Sequence, residues 1–254
     1  MYKALFDVSA ETIKELSKDK KYLGAKIGFT SVLHTWGQNL SLHPHIHMIV
    51  PGGGIDSNGK WKNSKKKFFL PVKVVSKLFK GKFLSYTKKN FDQRKIKDEE
   101  QFQNIINTCY SKDWVVYTKK PMKSAKHVVK YLGRYTHRIA ISNARIKKYE
   151  DNKVTFSYKD YSDHNQIKEM TLDDAEFFRR YMMHVLPPNF MKIRHYGFLG
   201  NRNKEERIKA VRTATNTKNP GPLLIDYEQI ISDILKRDVS ICIKCGQKRH
   251  YQLE

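Results

Sequence analysis

Cysteine is scarce, with three in 254 residues: Cys109 stands alone, and Cys242 and Cys245 share a C-x-x-C spacing. Three thiols cannot frame a disulfide-stapled fold, and that spacing suits metal or redox chemistry in a reducing compartment. Long apolar runs are also missing. None approaches the ~20 residues that cross a bilayer, so no transmembrane helix is expected, and residues 1–5 carry no signal-peptide pattern. Acidic residues are few, 25 against 49 Lys+Arg, which leaves a formal charge of +24. The excess runs along the whole length, and a polyanion is its natural partner, because phosphate neutralisation with counterion release drives nucleic-acid binding. The lesser alternative on charge alone is a ribosome-associated or membrane-surface protein. With 39% hydrophobic residues the chain can build a core, so a globular, cytoplasmic protein with no membrane partner is expected.

Periodicity divides the chain. Residues 9–18 read as a helix capped by Ser9, and Ile27, Phe29, Val32 and Leu33 read as a strand. A second strand, 45–50, ends at Pro51-Gly52-Gly53-Gly54. The β pattern continues through 55–61 around an Asp56-Ser57-Asn58-Gly59 turn. Helical spacing returns over 72–91 and 101–108. Residues 114–117 form a short β-type run, and Pro121 opens a helix reaching Arg138. Residues 139–141, 145–146 and 154–158 read as strands, and 171–185 as a helix capped by Thr171 or Asp173. A charged helix follows Asn201, residues 213–222 read as a linker, and a last helix covers 227–235. The expected division is a catalytic domain over 1–210 and a linker with tail over 211–254. The fold class is α+β: a central antiparallel β-sheet carries the histidines and is flanked by helices, one of which carries a tyrosine pair.

Two constellations carry chemistry. Residues two apart on a strand face the same way, so His45 and His47 converge, while Ile46 turns to the core. If strands 27–33 and 45–50 pair as a hairpin, His34 falls beside His45, and three imidazoles line one patch. His43 competes with His34 for that place, although Pro44 puts it in the loop. Nitrogen ligands with open positions suit Mn²⁺, Co²⁺, Ni²⁺ or Zn²⁺, and Mg²⁺ serves when abundant. The second constellation is Tyr131 and Tyr135, four apart on the predicted helix and therefore on one face. Lys130, Arg134 and Arg138 surround them with positive charge, which a phenol of pKa near ~10 needs to act as a nucleophile. Read alone, each pair also suits ordinary packing. Gly133 inside that helix costs ~1 kcal/mol relative to alanine, a cost more readily carried where something approaches the backbone. Cys242 and Cys245, with His250, form part of a Zn²⁺ site lacking a fourth ligand. Cations and aromatics mix around Arg194, as in single-strand binders. Trp36 and Trp61 suit either core packing or base stacking.

Taken together the motifs resemble the rolling-circle insertion-sequence transposases with two catalytic tyrosines, members of the HUH endonucleases, where U is a bulky apolar residue. The resemblance rests on Leu33-His34-Thr35-Trp36-Gly37-Gln38, on His43-Pro44-His45-Ile46-His47 running into Val50-Pro51-Gly52-Gly53-Gly54, on Tyr131-Leu132-Gly133-Arg134-Tyr135-Thr136-His137-Arg138 followed by Ile141-Ser142-Asn143, and on Arg194-His195-Tyr196-Gly197-Phe198-Leu199. It implies His45 and His47 as ligands of Mg²⁺ or Mn²⁺, and Tyr131 and Tyr135 as nucleophiles. The implied reaction is metal-dependent transesterification of single-stranded DNA at mobile-element ends, giving a 5′-phosphotyrosine and a free 3′-hydroxyl. His34 as third ligand rests on the hairpin geometry and on analogy with relaxases. Relatives carry an N-terminal zinc module and a further first strand, so a shortened form with a missing strand is expected. The competing classes are a non-catalytic nucleic-acid-binding protein or truncated remnant, and a zinc hydrolase using the same three histidines.

Overall fold

The computed structural model describes residues 1–65, 69–90, 98–119, 121–122, 124–136, 140–219, 221, 226–243 and 245–248, and within its helices the side chains of residues 125, 130, 134–136 and 227 fall outside the description. Helix α1 (Tyr2–Lys18) begins ahead of the expected residue 9, because Ala4, Leu5 and Val8 extend the apolar stripe that Thr12 and Leu16 continue. Ser9 does not cap it. Its hydroxyl lies within the helix and donates to the Phe6 carbonyl at 3.2 Å.

Strands β1 (Phe29–Trp36) and β2 (Leu42–Ile49) form an antiparallel hairpin, followed by the short pair β3 (Gly53–Ile55) and β4 (Trp61–Asn63). Three helices come next: α2 (Val72–Asn90), α3 (Glu99–Ser111) and α4 (Ala125–Thr136). Asp98 caps α3 by accepting from the Gln101 amide at 2.9 Å. Strands β5 (Ile146–Glu150), β6 (Lys153–Asp160) and β7 (Gln166–Asp173) make a second antiparallel sheet. Helix α5 (Asp174–Met182), strand β8 (Ile193–Tyr196) and helix α6 (Lys204–Thr215) follow. β8 returns to pair antiparallel with β1, giving the order β2-β1-β8. The fold is α+β, with antiparallel sheets and packed helices.

Alternation along β1 separates two chemistries. Phe29 and Leu33 turn to α1, where they pack with Ala10 and Phe6, and Met48 and Ile46 of β2 join them. Phe6, Phe29 and Leu33 are fully buried, and each such side chain stabilises the fold by ~1.5–3 kcal/mol. His34, His45 and His47 are thereby turned to the other face.

Several expected elements differ: the helix expected to open at Pro121 begins at Ala125, and Arg145 lies in a 3-10 turn ahead of β5 rather than in a strand. Residues 114–117 are extended but pair with no strand, because Trp114 is drawn onto α2, its ring 5.6 Å from Phe79 and 5.5 Å from Phe83. The expected strand at 139–141 is absent at residues 140 and 141, and residue 139 lies outside the described residues. Residues 171–173 end β7 rather than start a helix; α5 begins at Asp174.

Gly197, at the end of β8, has φ +61°, and a Cβ there would lie 1.8 Å from the Ile27 carbonyl oxygen. Gly197→Ala is therefore expected to cost ~2 kcal/mol or more, through both strain and collision. A urea midpoint equal to that of the parent chain would count against this packing.

The chain divides into units at residues 1–216 and 217–254. The second contains helix α7 (Tyr227–Leu235), which coincides with the sequence expectation, capped by Asp226 accepting from the Gln229 amide at 2.9 Å. It also contains a turn in which the Cys242 amide donates to the Gln247 carbonyl at 2.8 Å. Cys242 and Cys245 form no disulfide, and among the described residues they join no group of three metal-ligating side chains. The expected zinc half-site is thus unsupported, and His250 lies outside the described residues.

Candidate metal centre and tyrosine

The β1–β2 register sets His34 opposite His45 and Val32 opposite His47. With side chains two apart on β2 sharing a face, the three imidazoles gather, and one nitrogen from each lies within 4.8 Å of the others. His34 is buried and rests against the Trp36 ring at 4.2 Å. His43 does not join them. Its backbone carbonyl instead accepts from His45 Nδ1 at 2.7 Å, an orienting contact of the kind that fixes the tautomer of ligand histidines.

A carbonyl can only accept, so the His45 proton sits on Nδ1 and its Nε2 offers a lone pair. That Nε2 lies 3.1 Å from His47 Nε2. His47 Nε2–H then donates to it, which leaves His47 Nδ1 to accept from the Tyr131 hydroxyl at 3.0 Å. Helix α4 thus delivers one of the two expected tyrosines to the histidines. Lys119, which sequence reasoning missed, holds its ammonium 5.4 Å from the Tyr131 ring centroid. Its only signal was its place in a lysine run after an extended segment.

Burial pushes the His47 imidazole down to about 4, with His45 and Lys119 adding to the effect. Burial likewise lowers His45, partly offset by its bond to the His43 carbonyl. Both rings are neutral at pH 7, the form that binds metal. In the unfolded chain His47 takes a proton near the ordinary value of 6.5, so between there and about 4 the unfolded state binds more protons. Stability in chelator is therefore expected to fall as pH drops through that window. Thermal unfolding across it should show a shallower fall for His47→Gln, and equal slopes would refute the assignment.

The bend between β1 and β2 is held by Arg145 just ahead of β5, Arg180 on α5 and His184 just after α5. The Arg145 guanidinium donates to the Gln38 carbonyl through Nη2 and to the Ser157 carbonyl through Nε at 2.7 Å. Arg180 donates to the Asn39 carbonyl at 3.3 Å. His184 Nε2 donates to the Leu40 carbonyl at 3.1 Å, so its Nδ1 accepts from Thr35 Oγ1 at 3.2 Å. Three consecutive carbonyls are thus clamped, which holds the buried Leu40 at φ +62° against the ordinary cost of that conformation. The clamp fixes one end of a cleft of ≈ 520 Å³ whose walls include His34, His45, His47, Trp36, Gln38 and Tyr161.

The remaining expected cations divide. Arg194 lies opposite Ser31 on β8 and therefore on the α1 face, with its guanidinium 4.2 Å from the Phe6 ring centroid and 4.0 Å from Asp7 Oδ1. It packs α1 on the sheet, away from the histidines. The side chains of Lys130, Arg134 and Tyr135, and the whole of Arg138, lie outside the described residues. A Cβ on Gly133 would meet nothing within 4 Å, so no packing within the described chain requires that glycine.

Comparison with known proteins follows the same line. The family model described as "Putative transposase" matches residues 28–207. The "Putative transposase y4qJ" of Sinorhizobium fredii (strain NBRC 101917 / NGR234) is 40% identical over 268 residues, covering 100% of this chain and 67% of that protein. The "Transposase for insertion sequence element IS801" of Pseudomonas savastanoi pv. phaseolicola is 30% identical over 254 residues, covering 98% of this chain and 61% of that protein. The chain therefore spans about two thirds of the length of these curated relatives. No solved structure matches it, and no described helix is long and apolar enough to cross a membrane. On the extent of the family match and of the identity to both relatives, the chain belongs to the "Putative transposase" family.

Proposed function

We propose that the chain cleaves and rejoins single-stranded DNA at the ends of a mobile element, in the cytoplasm, with Tyr131 and Tyr135 as nucleophiles and His34, His45 and His47 as ligands of Mg²⁺ or Mn²⁺. The observation that carries this reading is the 3.0 Å contact between the Tyr131 hydroxyl and His47 Nδ1, which joins the tyrosine to the histidine cluster. The histidines offer a metal one nitrogen each, all within 4.8 Å of one another, and His45 Nε2 and His47 Nε2, 3.1 Å apart, are close enough for one ion to be bound by both at ~2.1 Å. When bound, the ion supplies Lewis-acid polarisation of the scissile phosphate.

The chain's own groups do the rest. With His47 Nε2 used as a ligand atom, the ring proton belongs on Nδ1, which donates to the Tyr131 oxygen and favours its ionised form. The Lys119 ammonium acts in the same sense. Tyr131 Oη then bonds to phosphorus while the P–O3′ bond breaks; the phenolic proton passes to water, and the departing 3′-oxygen takes one from water. One phosphodiester replaces another, so no external energy source is needed. Tyr135, one helical turn on, serves a second cut and the exchange of strands. Lys130, Arg134 and Arg138 on and after the same helix would neutralise flanking phosphates, and Gly133 leaves the backbone open to the strand.

The test is incubation with labelled single-stranded DNA and Mn²⁺, followed by denaturing electrophoresis for a covalent adduct that Tyr131→Phe with Tyr135→Phe abolishes. DNA bound without any adduct under every divalent metal would leave a non-catalytic binder. Cleaved products free of protein would point to hydrolysis instead.

A further inference from the structure

The wall of the cleft facing the histidines is the β6–β7 turn, and nothing in the reaction above uses it. Asp160 accepts from both the amide and the hydroxyl of Ser162, at 3.0 and 2.6 Å. Lys168 then bridges Asp160 at 2.9 Å and Asp163 at 2.7 Å. Hydrogen bonds from Ser162 and Lys168 hold the Asp160 carboxyl well below the usual carboxylate range, so this turn keeps its charges paired around neutral pH. Between these residues Tyr161 stands 67% exposed.

The ring is also oriented. Gln38, on the clamped bend, donates to the Tyr161 hydroxyl at 3.4 Å, and the Lys159 ammonium lies 5.8 Å from the ring centroid. Gln38, Tyr161 and Lys159 line the same cleft as His34, His45 and His47. Trp36 is already engaged by His34 at 4.2 Å and by the Lys192 ammonium 5.4 Å from its ring centroid. It braces the histidine; Tyr158 packs against the core of the second sheet and the exposed His43 ring lies 4.9 Å from His45, which leaves Tyr161 as the exposed tyrosine or tryptophan of the cleft among the described residues.

We infer that Tyr161 is a base-stacking platform: an unpaired nucleobase beside the phosphate held at the histidines lies on its ring, with Lys159 on that nucleotide's phosphate and Gln38 fixing the ring's angle. Stacking suits this place because every base has a π-face, so the subsite grips single strands with little regard to sequence. Duplex DNA, whose bases are stacked on one another, cannot offer one. This inference rests on the single-strand reading above.

The test measures binding in chelator, so that no cleavage occurs, by fluorescence anisotropy of a short labelled oligothymidylate and of the same sugar-phosphate chain without bases. The parent chain should prefer the oligothymidylate. Tyr161→Ala should lose about fivefold to a hundredfold affinity for it while hardly changing affinity for the abasic strand. Tyr161→Phe, which keeps the ring, should retain the preference. Equal losses on both strands, no loss with Tyr161→Ala, or no binding by the parent chain would each overturn the inference. The adduct assay keeps the two readings separate: an adduct with Tyr161-independent base preference removes the platform alone, and Tyr161-dependent base preference without any adduct removes the cleavage reading alone.

Discussion

Replacing Tyr131 with phenylalanine is expected to lower formation of the covalent protein–DNA adduct by at least about a thousandfold, the scale on which loss of a nucleophile is felt. The expectation comes from what surrounds this hydroxyl. A free phenol, with its pKa near ~10, is almost wholly protonated at pH 7. In the proposed metal-bound form two groups would assist loss of that proton: His47 Nδ1–H, 3.0 Å from the hydroxyl, and the Lys119 ammonium, 5.4 Å from the ring centroid. Phenylalanine keeps the ring and its packing on α4, so the fold should survive. Lys119→Ala should slow the same step by about tenfold, since it removes charge without removing the nucleophile. Tyr135→Phe should still form the first adduct but fail to complete strand exchange. Single-turnover electrophoresis of the three variants orders them, and an unimpaired Tyr131→Phe would refute the assignment.

Replacing His45 or His47 with alanine is expected to weaken Mn²⁺ binding by more than about a hundredfold, read by titration calorimetry. Altering groups that only orient ligands already costs 10–100-fold, and these residues are themselves ligands in the proposal. At a metal concentration a hundred times the dissociation constant, binding stabilises the folded parent chain by ~2.7 kcal/mol. For a chain of this size that is a rise in Tm of roughly 5–10 °C, which both variants should lack. They should differ in one respect. His47→Ala also removes the hydrogen-bond partner of the Tyr131 hydroxyl, whereas His45→Ala leaves that contact intact, so the tyrosine should be misplaced in the former alone. Metal-dependent stabilisation that persists in both would show that the ion binds elsewhere.

How much of this was legible beforehand depends on the range over which each feature is determined. Strand alternation and helical spacing are local, so they were enough to put His45 and His47 on one face, Tyr131 four residues from Tyr135 on a helix, and α7 at its observed bounds. The hairpin expectation for His34 also needed only a local argument, and the register pairs it with His45. Arg194 could not be read this way. Its face depends on the register of β8 against β1, two strands far apart in sequence, and a slip of one residue would reverse it. Residues 114–117 have strand-like side chains, yet strand formation needs a neighbour, and α2 takes Trp114 instead.

Sequence by itself determined the strongly basic charge, the histidine and tyrosine pairs and the elements that carry them, because these follow from composition and short-range backbone geometry. Tertiary structure alone decided that Tyr131 reaches His47, that Lys119 lies over the tyrosine, that Arg145, Arg180 and His184 clamp the bend at Gln38 to Leu40, and that Tyr161 faces the histidines across a cleft. Each of those contacts joins elements distant in the chain, and the packing that brings them together is set by the burial of the whole core.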